Sequence, residues 1–552
     1  MNKRLRIGLL IDDYLIPAWA FKMLENINSS DHSEIVLIVK KKTIKKEKKS
    51  IFKKFLENRN SIVFTLFQKF DNLLFRNSPD AFELKDIRKI CDCDEIEVFT
   101  KETKFSDTVL KDDIEKIVSH NVDVFIRLGF RILRGEILNS SKYGIWSYHH
   151  GDNSVNRGGP AGAWEVLKRW TETGVFLQIL TEDLDGGIKL AESFSATDMV
   201  SVNRNRNNLY WTALSLLPRK LNELYRLGEK EFFQKIKEDH NPYFYFNRLF
   251  LTPSNLVSVK SFTRIVFQKI HSTIVSLFFY EQWVLLYKIE KQNKISTSFF
   301  RFKKMTPPKD RFWADPFVME KNEKYYIFIE ELIYKENKGK ISVIEMDKAG
   351  NYSSPKVVLE RDYHLSYPFL FEENEELYMI PETAQNRTVE LYKCVDFPAK
   401  WELHKVLMTD VYAVDTTIFK KENKYWLFCN IKENEEASSA DELFLFHSDS
   451  LISENWTAHP NNPVVSDVRK SRPAGNIFSV NNKLYRPSQN CAQSYGHGMK
   501  ISEIIDLNEE SYRENTLQSI YPNWEKNIQG THTLNHAGGL TVIDALVKRT
   551  RL

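Results

Sequence analysis

The chain has 552 residues, and at roughly 150 residues per domain this length argues against a single compact core. Aromatic residues make up 13% of the chain beside only 20 Gly and 18 Pro, a composition that excludes disorder as the main state. The net charge of +4 argues against a dedicated nucleic-acid-binding protein. Residues 1–300 carry 46 basic and 37 acidic side chains, and residues 301–552 carry 32 and 37, so we expect two domains of different character.

The cysteines and the apolar runs indicate the compartment. The chain has 5 Cys, dispersed and without a CxxC pair, so the sequence predicts neither a disulfide framework nor a metal site. The basic N-terminus resembles a signal peptide, but its apolar run stops at Asp12 and Asp13, as in a buried first strand. No run reaches the roughly 18 apolar residues that cross a bilayer. We therefore expect a cytoplasmic protein.

The first half alternates between apolar runs of strand length and segments with helical spacing. Strands joined by helical crossovers pair in parallel, so we predict a Rossmann-like α/β domain with a mostly parallel sheet over residues 1–220. A helical connector is predicted over residues 221–278. The apolar runs are residues 6–11, 34–39, 122–128 and 175–180.

A basic insertion interrupts this domain at about residues 40–85. The segment from Lys40 to Lys54 contains nine Lys and a single acid, Glu47, and Phe and Leu then recur at three- and four-residue spacing. One interpretation is a solvated helix pair that packs on the domain through its Phe face. The alternative is a peripheral contact with the anionic inner face of a membrane, where each basic side chain contributes on the order of 1 kcal/mol. The sequence leaves both open.

The second half contains an internal repeat. Each repeat is a strand, a turn of Asn, Glu and Lys, and an aromatic strand, which is typical of a β-hairpin. A period near 50 residues predicts four-stranded propeller blades. Closure of a propeller ring needs a strand from the other end of the chain, and residues 281–289 form a predicted strand just before the first repeat. We therefore predict an all-β five-bladed propeller over residues 279–552. The repeats begin at Asp315, Tyr367, Asp415, Gly475 and His532.

The chemistry of the first half is concentrated in two stretches. Residues 143–160 are YGIWSYHHGDNSVNRGGP, and residues 173–187 are TGVFLQILTEDLDGG. His149 lies near the end of one predicted strand, and Asp185 lies just past the next. A histidine and a carboxylate so placed can accept a proton and hold the resulting charge in an acyl transfer. The alternative is a surface loop with a capped histidine.

The pattern resembles the folate-dependent formyltransferases, such as methionyl-tRNA formyltransferase and the sugar N-formyltransferases. That family's Asn-x-His motif, with Arg-Gly after it, matches Ser147-Tyr-His149 and Arg157-Gly158. Its later Thr-Gly and Asp-x-Gly elements match residues 173–174 and 185–187. The resemblance covers about residues 5–215. It implies that 10-formyltetrahydrofolate is the co-substrate.

The resemblance also implies roles for single residues. His149 would be the catalytic histidine, and Asp185 would orient it. Leu128 and Gly129 match the family's strand and glycine turn beside the folate, where Arg157 and Gly158 would also bind.

This chain departs from the family at one position. Ser147 stands where the family has the Asn that donates to the oxyanion, and loss of such a donor costs about 10²- to 10³-fold in rate. His150, Asp152 and Asn153 are candidates to replace it. We interpret the departure as a divergent subfamily with a different acceptor, and an inactive relic is the alternative.

The second half predicts a sugar site. The starts of the inner strands of a propeller converge on its axis, where carboxylates and rings suit sugar hydroxyls and faces. Paired carboxylates at such an axis can also hydrolyse glycosides. The alternative is that these residues form turns and caps at strand ends. The predicted axial residues are Asp315, Glu331, Glu382, Asp415, Arg486, Gln489 and His532.

Two further resemblances bear on this half. The sequence WADP at 313–316 resembles the opening of five-bladed glycosidases of the arabinanase and xylosidase type. Residues 472–478, 484–490 and 495–496 resemble the N-terminal portion of plant glucosamine inositolphosphorylceramide transferases more closely. Gly475 and Asn476 stand where the glycosidases carry their catalytic acid, so we expect glycan binding rather than cleavage.

Together the sequence predicts transfer of a formyl group from 10-formyltetrahydrofolate to an amine. The acceptor implied is an amino sugar of a nucleotide sugar or glycolipid, with the propeller binding carbohydrate and no nucleic acid involved. The alternative is a noncatalytic formyltransferase-like scaffold, whose propeller binds or processes glycans in polysaccharide or glycolipid biosynthesis.

Overall fold

The computed structural model describes residues 3–42, 59–183, 186–239, 245, 247–434 and 436–551. The chain divides into two units, Met1–Phe267 and Gln268–Leu552. Its helices in the described residues are α1 Ala18–Asn28, α2 Ile62–Leu74, α3 Lys111–Val118, α4 Ala163–Lys168, α5 Val202–Ala213, α6 Leu216–Asp239 and α7 Asn255–Phe278.

The first unit is built on a mixed sheet. The strands of this unit are β1 Leu5–Ile11, β2 Leu15–Pro17, β3 Ser33–Lys41, β4 Leu84–Asp86, β5 Asp94–Val98, β6 Thr100–Glu102, β7 Ser106–Val109, β8 Val124–Arg127, β9 Ile132–Arg134, β10 Ile145–His149, β11 Glu172–Ile179 and β12 Ile188–Ala196. Within the described residues, seven strands pair in the order β12-β11-β10-β8-β1-β3-β5. The neighbours from β10 to β5 are parallel, whereas β11 and β12 are antiparallel at one edge. The predicted parallel sheet is therefore present, with an antiparallel edge that the sequence pattern did not indicate.

The alternation of side chains along β1 separates two cores on the two faces of this sheet. Ile7 and Leu9 join one apolar cluster with helix α1, whereas Leu10 joins another with Leu37 and Phe125. Parallel strands that are buried on both faces consist almost entirely of apolar residues. The strands of this sheet could therefore be identified in the sequence as apolar runs. Helix α6 also packs into the first cluster, although the sequence predicts a connector from residue 221.

The predicted basic insertion contains helix α2. Phe64 is buried, and the Phe67 ring lies 6.0 Å from that of Phe262 on α7, so part of the Phe face packs on the unit. Phe70 and Leu73 on the same helix are exposed. Most of the segment from Lys40 to Lys54 lies outside the described residues, so the choice between the two interpretations stays a prediction. No helix in the described part of the chain is both long and apolar enough to span a bilayer.

The second unit consists of antiparallel sheets that follow one another along the chain. In the part of this unit that the structure describes there are five such sheets, each of four or five strands. Their strands are β13 Phe279–Ile289, β14 Lys303–Met305, β15 Arg311–Lys321, β16 Lys324–Ile333, β17 Lys338–Met346, β18 Lys356–Leu359, β19 Ser366–Glu373, β20 Glu376–Glu382, β21 Thr388–Asp396, β22 Lys400–Thr409, β23 Ala413–Lys421, β24 Lys424–Ile431, β25 Glu442–Ser448, β26 Thr457–Ala458, β27 Val465–Ser466, β28 Phe478–Val480, β29 Lys483–Asn490, β30 Gly498–Leu507, β31 Tyr512–Ile520, β32 Ile528–Gly530, β33 Leu534–Ala537 and β34 Leu540–Thr550.

The first and last of these strands share one sheet. Strand β13 pairs antiparallel with β34 along its whole length, from Phe279 opposite Thr550 to Ile289 opposite Leu540. This is the pairing that the sequence indicated for the strand upstream of the first repeat.

Each predicted repeat forms a hairpin with a two-residue turn. Both turn residues have positive φ at 322–323, 374–375, 481–482 and 538–539, as the type I′ turn of a tight hairpin requires. The residues that begin the repeats share a second feature. Asp315, Tyr367 and Asp415 have φ of 49°, 43° and 51°, and each lies at a register shift between the first two strands of its sheet. Positive φ is rare outside glycine, so its recurrence marks one backbone constraint repeated in three sheets.

Candidate functional site

A cavity of about 310 Å³ lies in the first unit, at the carboxyl ends of β8 and β10. Ser147 on β10 lies opposite Arg127 on β8 and opposite Gln178 on β11. Side chains two residues apart on a strand share a face, so His149 follows Ser147 on the same side. The cavity is lined by Arg127, Ser147, His149, Arg157, Gly158 and Gln178, among others.

The cavity brings together four of the residues predicted for this site: Ser147, His149, Arg157 and Gly158. The His149 Nε2 atom lies 3.1 Å from the carbonyl oxygen of Asn156, within the loop that follows β10. Asp185, the predicted partner of His149, lies outside the described residues, and its role stays a prediction.

The loop after β10 is held from two sides. The Arg157 Nε donates to the carbonyl of Asn153 at 2.9 Å, and its guanidinium stacks 4.6 Å from the centre of the Tyr245 ring. A Cβ on Gly158 would lie 2.1 Å from the carbonyl oxygen of Phe250, so only glycine fits where these two backbones meet.

Leu128 and Gly129 continue the chain beyond β8. Their N–H groups both donate to the carbonyl of Leu10, at 3.0 and 2.8 Å. A Cβ on Gly129 would lie 2.4 Å from the backbone nitrogen of Asp12, and Leu128 packs half-buried on the core. The backbone packing by itself therefore accounts for Gly129, and a folate-binding role for the pair stays a prediction.

Two of the three candidates to replace the missing Asn, His150 and Asp152, are engaged elsewhere. His150 stacks on Tyr210 with ring centres 3.7 Å apart, and burial together with the nearby His149 lowers its pKa to about 3. Asp152 accepts hydrogen bonds from the N–H and hydroxyl of Ser154, at 2.8 and 2.6 Å. Asn153 is buried and accepts from Arg157 through its backbone carbonyl, whereas its side-chain oxygen has no hydrogen-bond partner among the described residues.

Arg127 is the residue of this cavity that the sequence reasoning missed. One of its terminal nitrogens donates to the Ser147 hydroxyl at 2.9 Å, and the other donates to the carbonyl of Phe130 at 3.2 Å. An arginine at the end of the apolar strand VFIR was the available signal.

The second unit contains a buried group of charged residues, which we call the central cluster: Asp315, Glu382, Asp415, Arg472, His532 and Asp544. His532 lies between two carboxylates, with Nε2 3.3 Å from Asp315 and Nδ1 2.7 Å from Asp544. Asp315 also accepts a hydrogen bond from the Thr533 hydroxyl at 2.7 Å. The ligand atoms of Asp315, His532 and Asp544 lie within 4.8 Å of one another, a group that the sequence did not predict.

The other half of the central cluster surrounds Arg472. Its Nε donates to Asp415 at 2.5 Å, and a terminal nitrogen lies 3.5 Å from Glu382. Gln489 donates to the same Asp415 carboxylate at 2.7 Å. Burial and the neighbouring Asp415 raise the pKa of Glu382 well above its usual range. The structure thus brings together Asp315, Glu382, Asp415, Gln489 and His532 from the predicted axial set.

Glu331 and Arg486, also predicted for the axis, have other partners. Glu331 accepts from Arg311 at 3.0 Å, from the Trp313 indole at 3.3 Å and from Ser342 at 2.8 Å, within its own sheet. Arg486 forms a buried two-bond ion pair with Glu514, with both N···O distances at 2.8 Å. Glu331 on β16 thus bonds to the two neighbouring strands of its sheet, whereas Arg486 on β29 reaches across β30 to Glu514 on β31.

The central cluster predicts a loss of stability at alkaline pH. Burial by itself would lower the pKa of His532, but the attraction of the Asp544 and Asp315 carboxylates for its charged form is stronger and raises the pKa to about 9. A group whose pKa is raised on folding stabilises the fold below its unfolded pKa, about 6.5 for histidine, and this stabilisation is lost as pH rises through 9. We expect the urea midpoint of the second unit, followed by Trp fluorescence, to fall between pH 7 and pH 9.5. His497→Gln should show the same fall, because burial lowers the pKa of His497. A midpoint that does not change over this range would contradict the assignment.

Comparisons with known proteins agree with two of the three resemblances found in the sequence, those to the formyltransferases and to the plant transferases. Residues 298–537 match the family model described as glucosamine inositolphosphorylceramide transferase 1, N-terminal. The transferase of that name from Arabidopsis thaliana is 33% identical over 206 residues, which cover 37% of this chain and 27% of the plant protein. Methionyl-tRNA formyltransferase from Prochlorococcus marinus is 37% identical over 83 residues, covering 15% of this chain and 24% of that protein.

Among solved structures, glycinamide ribonucleotide transformylase 1 from Symbiobacterium toebii aligns with a TM-score of 0.26 at 14% identity, covering 41% of this chain and 87% of that one. The chain spans about a quarter of the length of the curated relatives named here, 27% and 24%. The sequence matches to the plant transferase and to methionyl-tRNA formyltransferase confirm the resemblance of the chain to these two families.

Proposed function

We propose that the first unit transfers a formyl group from 10-formyltetrahydrofolate to the amine of an amino sugar. The observation that carries this proposal is that Ser147, His149, Arg157 and Gly158 line one cavity. A volume of about 310 Å³ suits the reacting ends of two substrates rather than a whole folate.

In this proposal the neutral amine attacks the formyl carbon. His149 takes the proton that the attacking nitrogen loses, and Asp185 holds the imidazole in the required orientation. Arg157 and Gly158 contribute donors at the cavity wall.

Calorimetric titration of the full chain with 5-formyltetrahydrofolate tests this proposal. We expect saturable binding that Arg157→Ala weakens by about tenfold or more, because a charge-assisted hydrogen bond is lost. The matched control is Arg88→Ala, which removes an exposed arginine paired with Asp86 in the same unit. Absence of any binding to the wild-type chain would refute the enzymatic proposal.

For the second unit we propose that the five sheets are the blades of a propeller that binds carbohydrate. What supports this is the place where the central cluster approaches the surface. Tyr495 as a residue is 49% exposed, and its ring lies 4.9 Å from the Arg472 guanidinium and 5.3 Å from the His532 ring. An exposed tyrosine beside a charged group suits the face and hydroxyls of a sugar.

A glycan array tests the carbohydrate proposal. We expect Tyr495→Ala to lose most of the signal that the wild-type chain gives, and Asp315→Asn to change the profile. Tyr521→Ala is the matched control, since Tyr521 is exposed to a similar extent, 45%, elsewhere in the unit. Identical glycan profiles for the wild type and the three variants would contradict carbohydrate binding at the central cluster and indicate that its residues have a structural role.

The alternative is a noncatalytic first unit that serves as a scaffold for the carbohydrate-binding unit. The observation that favours it is Ser147, whose hydroxyl lies where the formyltransferase family has an amide donor. Folate binding without turnover on any amino sugar would support this alternative.

We also propose that the protein contacts a membrane peripherally. The contact would involve helices α2 and α7 in addition to the Lys-rich segment from Lys40 to Lys54. Phe70 and Leu73 of α2 and Leu256 and Phe267 of α7 are 50 to 80% exposed, and α7 has no acidic residue. Interfacial helices of this kind bind anionic bilayers. We expect the full chain to sediment with phosphatidylserine vesicles more than with phosphatidylcholine vesicles, and the double variant Leu256→Gln, Phe267→Gln to sediment with neither. Equal sedimentation with both vesicle types would contradict the proposal.

A further inference from the structure

The cavity of the first unit contains a part-buried cation, Arg127, that has no charged partner among the residues the structure describes. Desolvation lowers the pKa of the Arg127 guanidinium, because burial disfavours its charged form. A guanidinium offers five N–H donors. In the described structure the terminal nitrogens bond only to the neutral oxygens of Ser147 and Phe130, and the buried Nε has no partner.

The carboxylates nearest to Arg127 are committed elsewhere. Asp12 and Asp107 act on it only at long range. Asp12 accepts a backbone N–H at 2.8 Å, and Asp107 forms ion pairs with Lys41 and Arg131, both at 2.7 Å. No carboxylate of the described residues lies within ion-pair distance of Arg127.

Arginine is nevertheless always charged in proteins, and a buried charge is costly unless it is paired. The cavity beside Arg127 also contains His149 and Arg157, so the charge is open to a ligand rather than sealed in the core. The serine hydroxyl that replaces the family's amide is the acceptor that holds the guanidinium at 2.9 Å. Ser147 is thus a positioning residue in this arrangement.

We propose that Arg127 is the anion-binding group of this cavity and receives a negatively charged oxygen of the substrate beside His149. The inference rests on the proposed formyl transfer. When the amine nitrogen bonds to the formyl carbon, the electron pair of the C=O bond moves to oxygen, and Arg127 donates to that oxygen. When the C=O bond re-forms, the bond from carbon to the folate nitrogen breaks, and that nitrogen leaves with a proton. The same N–H donors suit a substrate carboxylate, so the experiment separates these two sources.

Formate is the first probe, measured by thermal unfolding of the full chain in sodium formate and in sodium chloride of equal ionic strength. We expect formate to raise the unfolding temperature of the first unit more than chloride does. Arg127→Met should abolish this difference, and Arg127→Lys should weaken formate binding by about tenfold, because lysine cannot form the two-pronged contact. Arg134→Met is the matched control, since Arg134 lines the same cavity but lies 3.6 Å from Glu182. Equal responses of wild type and Arg127→Met would overturn the proposal.

The second measurement distinguishes the source of the anion. If a substrate carboxylate occupies Arg127, Arg127→Met binds 5-formyltetrahydrofolate at least about tenfold more weakly. If the oxyanion occupies it, binding is unchanged and the single-turnover rate falls by about 10²- to 10³-fold. Unchanged binding together with an unchanged rate would overturn the inference. A chain that responds to formate but binds no folate would refute the formyl transfer while leaving the anion site in place.

Discussion

Replacing His149 by alanine is expected to lower the rate of formyl transfer by about 10²- to 10⁴-fold, or roughly 3 to 5 kcal/mol in the activation barrier. The imidazole is the proton acceptor that the proposed mechanism requires, and it lies in the cavity beside Ser147. Binding of 5-formyltetrahydrofolate should change little, because the lost interaction belongs to the transition state. Single-turnover measurement with candidate amino sugars, together with calorimetry, checks both statements.

The adjacent histidine provides the control for this experiment. His150→Phe keeps the aromatic stack on Tyr210 and should retain activity, because His150 is packed in the interior and neutral at pH 7. Loss of activity in His150→Phe and its retention in His149→Ala would show that the wrong member of the pair was assigned.

Replacing Glu514 by alanine is expected to destabilise the second unit by about 3 to 5 kcal/mol. The Glu514 and Arg486 side chains are 3% and 2% exposed, so the substitution leaves a buried guanidinium without its counter-charge. The carbonyls of Lys470 and Ser471, which also accept from Arg486, cannot replace that charge. Urea unfolding followed by Trp fluorescence measures the change.

Two further variants make the interpretation specific. Removing both charges with Arg486→Met and Glu514→Leu should recover most of the loss, because an apolar pair of similar size needs no desolvated charge. Arg513→Ala breaks an ion pair whose arginine is 71% exposed and should cost less than about 1 kcal/mol. A double variant less stable than Glu514→Ala would indicate that packing, not charge, dominates at this position.

The features that could be predicted from the sequence are those formed by residues close together along the chain. Two-residue turns recur six or seven residues after each repeat start, so the hairpins of the second unit were visible as short motifs. The spacing from Ser147 to His149 and Arg157 likewise lies within one loop and its strand. The contact between Arg127 and Ser147 could not be found in this way, because it depends on the register between β8 and β10.

The different partners of Glu331 and Arg486 within the predicted axial set have a related cause. Arg486 and Gln489 lie three residues apart on β29, and residues at odd spacing point to opposite faces of a strand. Gln489 therefore reaches Asp415 in the central cluster, whereas Arg486 reaches Glu514. Glu330 and Glu331 are adjacent on β16, so their side chains also point to opposite faces of the strand. The charge of Glu330, not that of Glu331, acts on Asp315. A shift of one residue exchanges the faces of a strand, and single-sequence patterns do not fix position that finely.

The pairing of β13 with β34 also affects the order in which the second unit can fold. Phe279 bonds across to Thr550, so the sheet that contains both ends of the unit cannot form until the last described strand has been synthesised. At roughly 5 to 20 residues per second, β13 waits on the order of tens of seconds on the ribosome without its partner. An apolar strand with an unpaired edge is prone to aggregation during that time. Expression of the full chain should therefore depend on chaperones that shield exposed strands more than expression of a chain ending after the first unit.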